Sequence, residues 1–193
     1  MFIEDGKGSG RLASVGAENR VNVNAVTSTI EHHINHDEGT AYSLTVSQSN
    51  TAAGDCILYM LNSEELDMVI EGFTIGVINC TADDSIYFKI GDTGTRNSGV
   101  DVTPVNLNGG SGKSVVGTFE QGADLDGGAA TLAGGSEFER FVMAGVTDLV
   151  SKDFNFPQDL ILPKNRSLTA WVDGSGTGTW YLTIHFNIHV HEV

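Results

Sequence analysis

The chain has 193 residues, of which 40% are hydrophobic and 18% charged, with 24 glycines and 3 prolines. That is enough apolar material for one packed domain, and glycines spread between short apolar runs suit a β protein with many turns, so wholesale disorder is excluded. Ten Lys and Arg against 25 Asp and Glu leave a formal charge of −15, which repels phosphate and argues against nucleic-acid binding and against docking on an anionic membrane.

The first residues, Met1-Phe2-Ile3-Glu4-Asp5, have neither the basic region nor the apolar run of a secretory signal. No apolar run approaches ~20 residues, so no membrane span is expected. The expectation is a soluble protein made in a cytoplasm. Residues 1–20 read as a flexible, Gly-rich arm that becomes ordered against a partner, or else as a frayed terminus, and residues 21–193 as the folded domain.

Strand patterns follow in series. Val21 to Ile30 opens with alternating apolar and Asn positions, and Tyr42, Leu44 and Val46 alternate with Ser and Thr. Cys56 to Leu61 is apolar on both faces, as in a central strand. Met68 to Ile78, Ser85 to Ile90, Ser114 to Glu120 and Ser167 to Asp173 continue the set. Phe138, Phe141, Val142, Val146 and Leu149 recur at helical spacing, and Ser136 with Glu139 has the form of a capping box. Gly145, Val146 and Thr147 are poor in the middle of a helix, so the reading here is a strand, a turn and a further strand.

The last pattern, Thr179 to His191, is the clearest. Trp180, Leu182, Ile184, Phe186, Ile188 and Val190 alternate with Tyr181, Thr183, His185, Asn187, His189 and His191. This period of two suits a strand with one buried face and no helix. Burying the six apolar side chains stabilises by roughly 10 kcal/mol before ordering entropy is counted. The expected fold is all-β: an antiparallel β-sandwich, specifically a jelly roll, with an extended N-terminal arm.

Motifs of catalysis are sparse, and the chain is not expected to be an enzyme or to carry a cofactor. Gly109 to Ser114 approaches a phosphate-binding loop but has Leu107 where the pattern needs glycine, and a strand pattern follows instead of a helix. Glu64-Glu65, Asp83-Asp84 and Asp124/Asp126 read as solvated loop charge. Cys56 and Cys80 form no CxxC pair and read as buried, reduced thiols. Three histidines cluster among the carboxylates of Glu31 to Glu38. His185, His189 and His191 share the polar side of the last strand. His189 and His191 are weak metal candidates, being about 7 Å apart in an extended chain. Tyr181 with these three histidines is the expected subunit contact.

Several stretches occur together in order. They are Glu18-Asn19-Arg20-Val21-Asn22-Val23-Asn24, then Ala53-Gly54-Asp55-Cys56-Ile57-Leu58-Tyr59, then Thr103-Pro104-Val105-Asn106, then Gly110-Ser111-Gly112-Lys113, then Ile161-Leu162-Pro163-Lys164-Asn165. The set resembles a group of tailed-bacteriophage structural proteins, over most of the chain. These motifs mark turns and strand starts, so they carry no catalytic residues. The resemblance implies a virion protein at the capsid surface: a jelly-roll cement or decoration protein, a homotrimer, partnered by the major capsid protein. On that reading Lys7, Arg11 and Arg20 of the arm anchor it to the shell. The alternative is a tail- or fibre-associated jelly roll that binds host glycan by stacking sugar on Trp171 or Tyr181. A cupin-type metalloenzyme ranks last.

Overall fold

The computed structural model describes residues 2–4, 12–14, 38–49, 51–80, 82–127, 131–143, 145, 148–174 and 178–189. The chain divides into two compact units, Met1–His33 and Ile34–Val193. In the first, β1 (Phe2–Glu4) and β2 (Leu12–Ser14) pair antiparallel. The strand expected at 21–30, the arm residues Lys7, Arg11 and Arg20, and His32, His33 and His36 lie outside the described residues.

The second unit is an antiparallel β-sandwich. Its strands are β3 (Ala41–Ser49), β4 (Asp55–Asn62), β5 (Met68–Ile78), β6 (Asp84–Ile90), β7 (Thr93–Gly94), β8 (Val100–Asp101), β9 (Val105–Asn106), β10 (Gly117–Gln121), β11 (Leu132–Ala133), β12 (Ser136–Met143), β13 (Val150–Leu162), β14 (Ser167–Asp173) and β15 (Thr179–Ile188). One sheet runs in the order β12-β6-β14-β4-β10-β8 and the other β13-β5-β15-β3-β9. The eight long strands are β3 to β6 and β12 to β15. Successive members of this set change sheet at every connection but one, that from β6 to β12.

Alternating apolar positions meet between the sheets. Leu44, Ile70, Phe73, Ile75, Trp180, Leu182 and Ile184 face Ile86, Phe88, Leu168 and Val172 in one core cluster. Phe73 of β5 stacks on Phe88 of β6 at 4.3 Å, which locks the two sheets together near their middle. β15 lies between β5 and β3, paired on both sides. Trp180, Leu182 and Ile184 are fully buried and Phe186 and Ile188 nearly so. The alternation holds to the end of the strand at Ile188. The register against β5 shifts between His185 and Phe186 because β5 carries the extra residue, Glu71; Asn187, on the outward side, is nonetheless buried, its Nδ2 donating to Glu71 Oε1 at 2.9 Å.

The helical spacing at 138–149 has a strand-based cause. β12 carries a bulge between Glu137 and Glu139. One extra residue resets the alternation, so Phe138 and Phe141, three apart, both pack on the core. β13 is the long strand that the sequence pattern had not marked out. Its register slips between Asn155 and Leu160, a stretch containing Pro157, which has no N–H to give to a ladder. β13 is an edge strand, where such an interruption is tolerated.

Candidate functional site

The two outer faces of the sandwich differ. On the six-stranded sheet the outward side chains Cys56, Tyr59, Tyr87 and Trp171 form a second buried cluster with Leu125 and Leu132. Those two leucines come from the connection between β6 and β12, which folds back over its own sheet. A bulge in β4, where Trp171 pairs with Cys56 and Ala170 with Leu58, brings Cys56 and Tyr59 to the same side. The exposed carbonyls of that bulge are used: Leu125 N donates to Cys56 O at 2.7 Å and Gly122 N to Ile57 O at 3.3 Å.

One buried carboxylate fastens this cover. Asp92 Oδ2 accepts from Thr169 Oγ1 at 2.6 Å and Trp171 Nε1 at 3.0 Å, while Oδ1 accepts from Gly135 N at 2.8 Å. Asp126 does the same farther along, its Oδ1 accepting from Leu132 N at 2.6 Å. Cations finish the layer. Arg96 lies 4.4 Å over the Tyr59 ring and binds Glu120, Lys89 lies 4.1 Å over Trp171, and Arg140 lies 4.2 Å over Tyr87. Burial, reinforced by Asp173, pushes the Tyr87 hydroxyl up to about 12. Burial likewise pushes the Cys56 thiol well up, so neither group is poised for chemistry.

The five-stranded sheet is different. Two of its outward rows are made mostly of small hydroxylated residues and glycine: Asp153, Thr74, Thr183 and Thr45 in one, Ser151, Gly76, Tyr181 and Ser47 in the next. Tyr181 stands in the second row between a glycine and a serine, and is 41% exposed. Beside it Thr45, Thr74, Thr183, Ser151 and Leu149 surround a shallow trough of about 310 Å³ whose floor is Gly76. A Cβ on Gly76 would meet Leu149 Cδ1 at 3.4 Å and Tyr181 Cβ at 3.6 Å, so the missing side chain is what opens the trough. Thr45 and Thr183 hydroxyls pair at 3.1 Å, and Thr74 donates to Asp153 Oδ1 at 2.7 Å.

Apart from Tyr181, the exposed large apolar side chains among the described residues lie at the margins. Val142 is on edge strand β12, and Leu149, Val150 and Ile161 are on or just before edge strand β13. At the other margin Val100 is on β8, Val105 on β9, and Leu107 and Val116 lie on the loop between β9 and β10. The inward contacts Phe141–Phe154 at 5.1 Å and Phe119–Phe186 at 6.0 Å show that β12 packs over β13, and β10 on the side of β15.

The structure brings Tyr181 and His185 to one face, on the central strand of the sheet rather than at an edge. His189 is exposed beyond the strand end, its N–H donating to Asp67 O at 2.9 Å, and His191 lies outside the described residues. Among the described residues no group of three or more His, Cys, Asp or Glu is placed to hold a metal ion. Cys56 and Cys80 are both buried and free of disulfides. Gly109 and Gly110 form a turn that Asn108 Oδ1 holds by accepting from Gly110 N at 3.0 Å.

Two sequence expectations are corrected. Trp171 is not a surface platform: it is 4% exposed, tied to Asp92 and covered by Lys89. Asp84 and Asp126 are not solvated loop charge; both are buried, because their carboxylates accept the backbone N–H of Ser85 and Leu132. Asp92 and Gly76 went unmarked in the sequence. A single Asp after a strand looks like any turn residue, whereas Gly72 and Gly76 inside an apolar strand were a legible sign of close approach.

Among the described residues no helix is long and apolar enough to cross a membrane. Comparison with protein-family models, with curated proteins and with solved structures finds no match to this chain.

Proposed function

We propose that this chain is a structural virion protein of a tailed bacteriophage that decorates the capsid exterior and stabilises it by binding neighbouring capsid subunits. The observation that carries this reading is the placement of exposed apolar side chains at two opposite margins of the sandwich: Val142, Leu149 and Val150 on one, and Val100, Val105 and Leu107 on the other. Apolar margins at unlike ends of a subunit are what head-to-tail contacts bury, and such contacts form a ring where the rotation from one subunit to the next closes. A homotrimer is the assembly we propose. The alternation of the eight long strands between the sheets supports reading the sandwich as a jelly roll. The formal charge of −15 favours a place outside a shell, away from packaged DNA. The order of turn and strand-start motifs along the chain supports the same assignment. The partner is the major capsid protein, with no nucleic acid, membrane or cofactor in the reading.

The test is co-sedimentation with empty shells assembled from the major capsid protein encoded in the same genome, together with native mass measurement. We expect saturable binding and a trimer. Val142→Asp and Val105→Asp are each expected to give monomers, and a mixture of the two to give dimers, because each then retains one intact margin. A monomeric wild-type chain that stays in the supernatant would overturn the proposal.

A further inference from the structure

We infer that the trough beside Tyr181 is a binding site for a neutral saccharide. The trough lies on the outer face of the five-stranded sheet and meets the β13 margin at Leu149, so its test is run on the isolated chain and does not depend on capsid binding.

Three properties of the trough select the ligand. The first is the ring. Among the described residues Tyr181 is the one large exposed apolar side chain away from the margins, with Gly76 and Ser47 as its cross-strand neighbours. Its ring is thus uncrowded by neighbours in its row, and an aromatic ring with an electron-rich face attracts the polarised C–H bonds of a pyranose. The second is the hydroxyl fringe of Thr45, Thr74, Thr183 and Ser151. The Tyr181 and Ser151 hydroxyls have no partner among the described residues, and the Thr45–Thr183 pair retains unused donor and acceptor capacity. Such groups exchange hydrogen bonds with sugar hydroxyls in either direction. The third is neutrality. Among the described residues no ionised side chain lines the trough, and the carboxylate in the same rows, Asp153, is engaged with Thr74.

Peptide recognition by strand addition is disfavoured by the same geometry. β5 and β15, which form the floor, are paired on both sides, so their backbone N–H and C=O groups are already spent. What the surface offers is a ring face and a mostly apolar trough with a few hydroxyls, which suits the C–H face of a sugar ring. At about 310 Å³ the trough is at the small end of ligand sites, which run from about 300 to 1,000 Å³. A short stretch of a glycan chain lying across it is the ligand it suits.

The test is saturation-transfer-difference NMR on the full chain, with maltotriose, cellotriose and N-acetylated chitotriose as neutral probes. 3′-Sialyllactose serves as the anionic comparison, and phosphatidylcholine vesicles, read by sedimentation, as the apolar one. We expect transfer to at least one neutral trisaccharide with a Kd of about 1 mM. Tyr181→Ala should weaken it at least about tenfold and Tyr181→Phe by no more than about threefold, since the ring face survives. Gly76→Ala should narrow the trough and weaken binding; the Cβ contacts there are ordinary ones. Melting curves of each variant confirm that it is folded. Absence of transfer to all three neutral sugars, equal transfer to Tyr181→Ala, or preference for sialyllactose or vesicles would each overturn the inference.

Discussion

Replacing Asp92 with alanine should loosen the cover of the six-stranded sheet while leaving the sandwich core in place. The carboxylate accepts three hydrogen bonds, from Thr169 Oγ1, Trp171 Nε1 and Gly135 N, at 2.6, 3.0 and 2.8 Å. Trp171 Nε1 retains Thr169 Oγ1 at 2.8 Å as a second acceptor, so its loss is partial. Thr169 and Gly135 lose their good partners. At about 1–3 kcal/mol for each buried donor left unsatisfied, the change costs about 3–5 kcal/mol. That is a large part of the roughly 5–15 kcal/mol that holds a domain together. Asp92→Asn should cost less, because its amide oxygen can take the Oδ2 position and only the Gly135 N–H is then left facing an NH2 group. The assay combines urea unfolding with thiol labelling. Cys56 lies under Leu125 and Leu132 in the covered cluster, whereas Cys80 belongs to the core between the sheets. In the variant, Cys56 should react with a thiol reagent in native buffer well before Cys80. A stability within about 1 kcal/mol of wild type, or labelling of both thiols together, would refute this account of the clasp.

Two further outcomes are expected. Ile184→Asp places a carboxylate where the native side chain is fully buried, paired across the ladder with Leu44 and Phe73; the lost transfer energy and the buried charge together exceed the stability of a domain, and a soluble variant with an unchanged Tm would contradict the strand's inward face. Asp84 is held above the usual carboxylate range, chiefly by burial and further by Asp173, against the Ser85 N–H that lowers it. A raised native value means that the stability it contributes is fully present below the unfolded value of about 4 and is lost as pH rises through the native value. Asp84→Asn should therefore match or exceed wild type in urea midpoint at neutral pH, with the advantage shrinking towards pH 4; a variant that is less stable at neutral pH, or a gap that does not change with pH, would show the reasoning to be wrong.

Period-two alternation was enough to place β3, β6 and β15 and to put Leu44, Phe88 and Ile184 inside, because side-chain direction along a strand follows from local geometry alone. Cys56 to Leu61 was legible as a central strand for the same reason: a run apolar on both faces has two layers to bury against. Where the pleat is broken, sequence pattern misleads. The bulge in β12 makes Phe138 and Phe141 look helical, and a bulge in β5 at Glu71 puts Ile70 and Phe73, three apart, on the same inner face. Which outer face is covered was decided only in three dimensions. Trp171 and Tyr181 are both aromatic residues on outward positions of central strands, and nothing local separates them. The connection between β6 and β12 folds over Trp171 and, through Asp92, holds it there, while Tyr181 keeps only Gly76 and Ser47 for neighbours in adjacent strands. Burial of an outward residue depends on which distant segment returns to it, and that is a property of the chain's path rather than of its pattern.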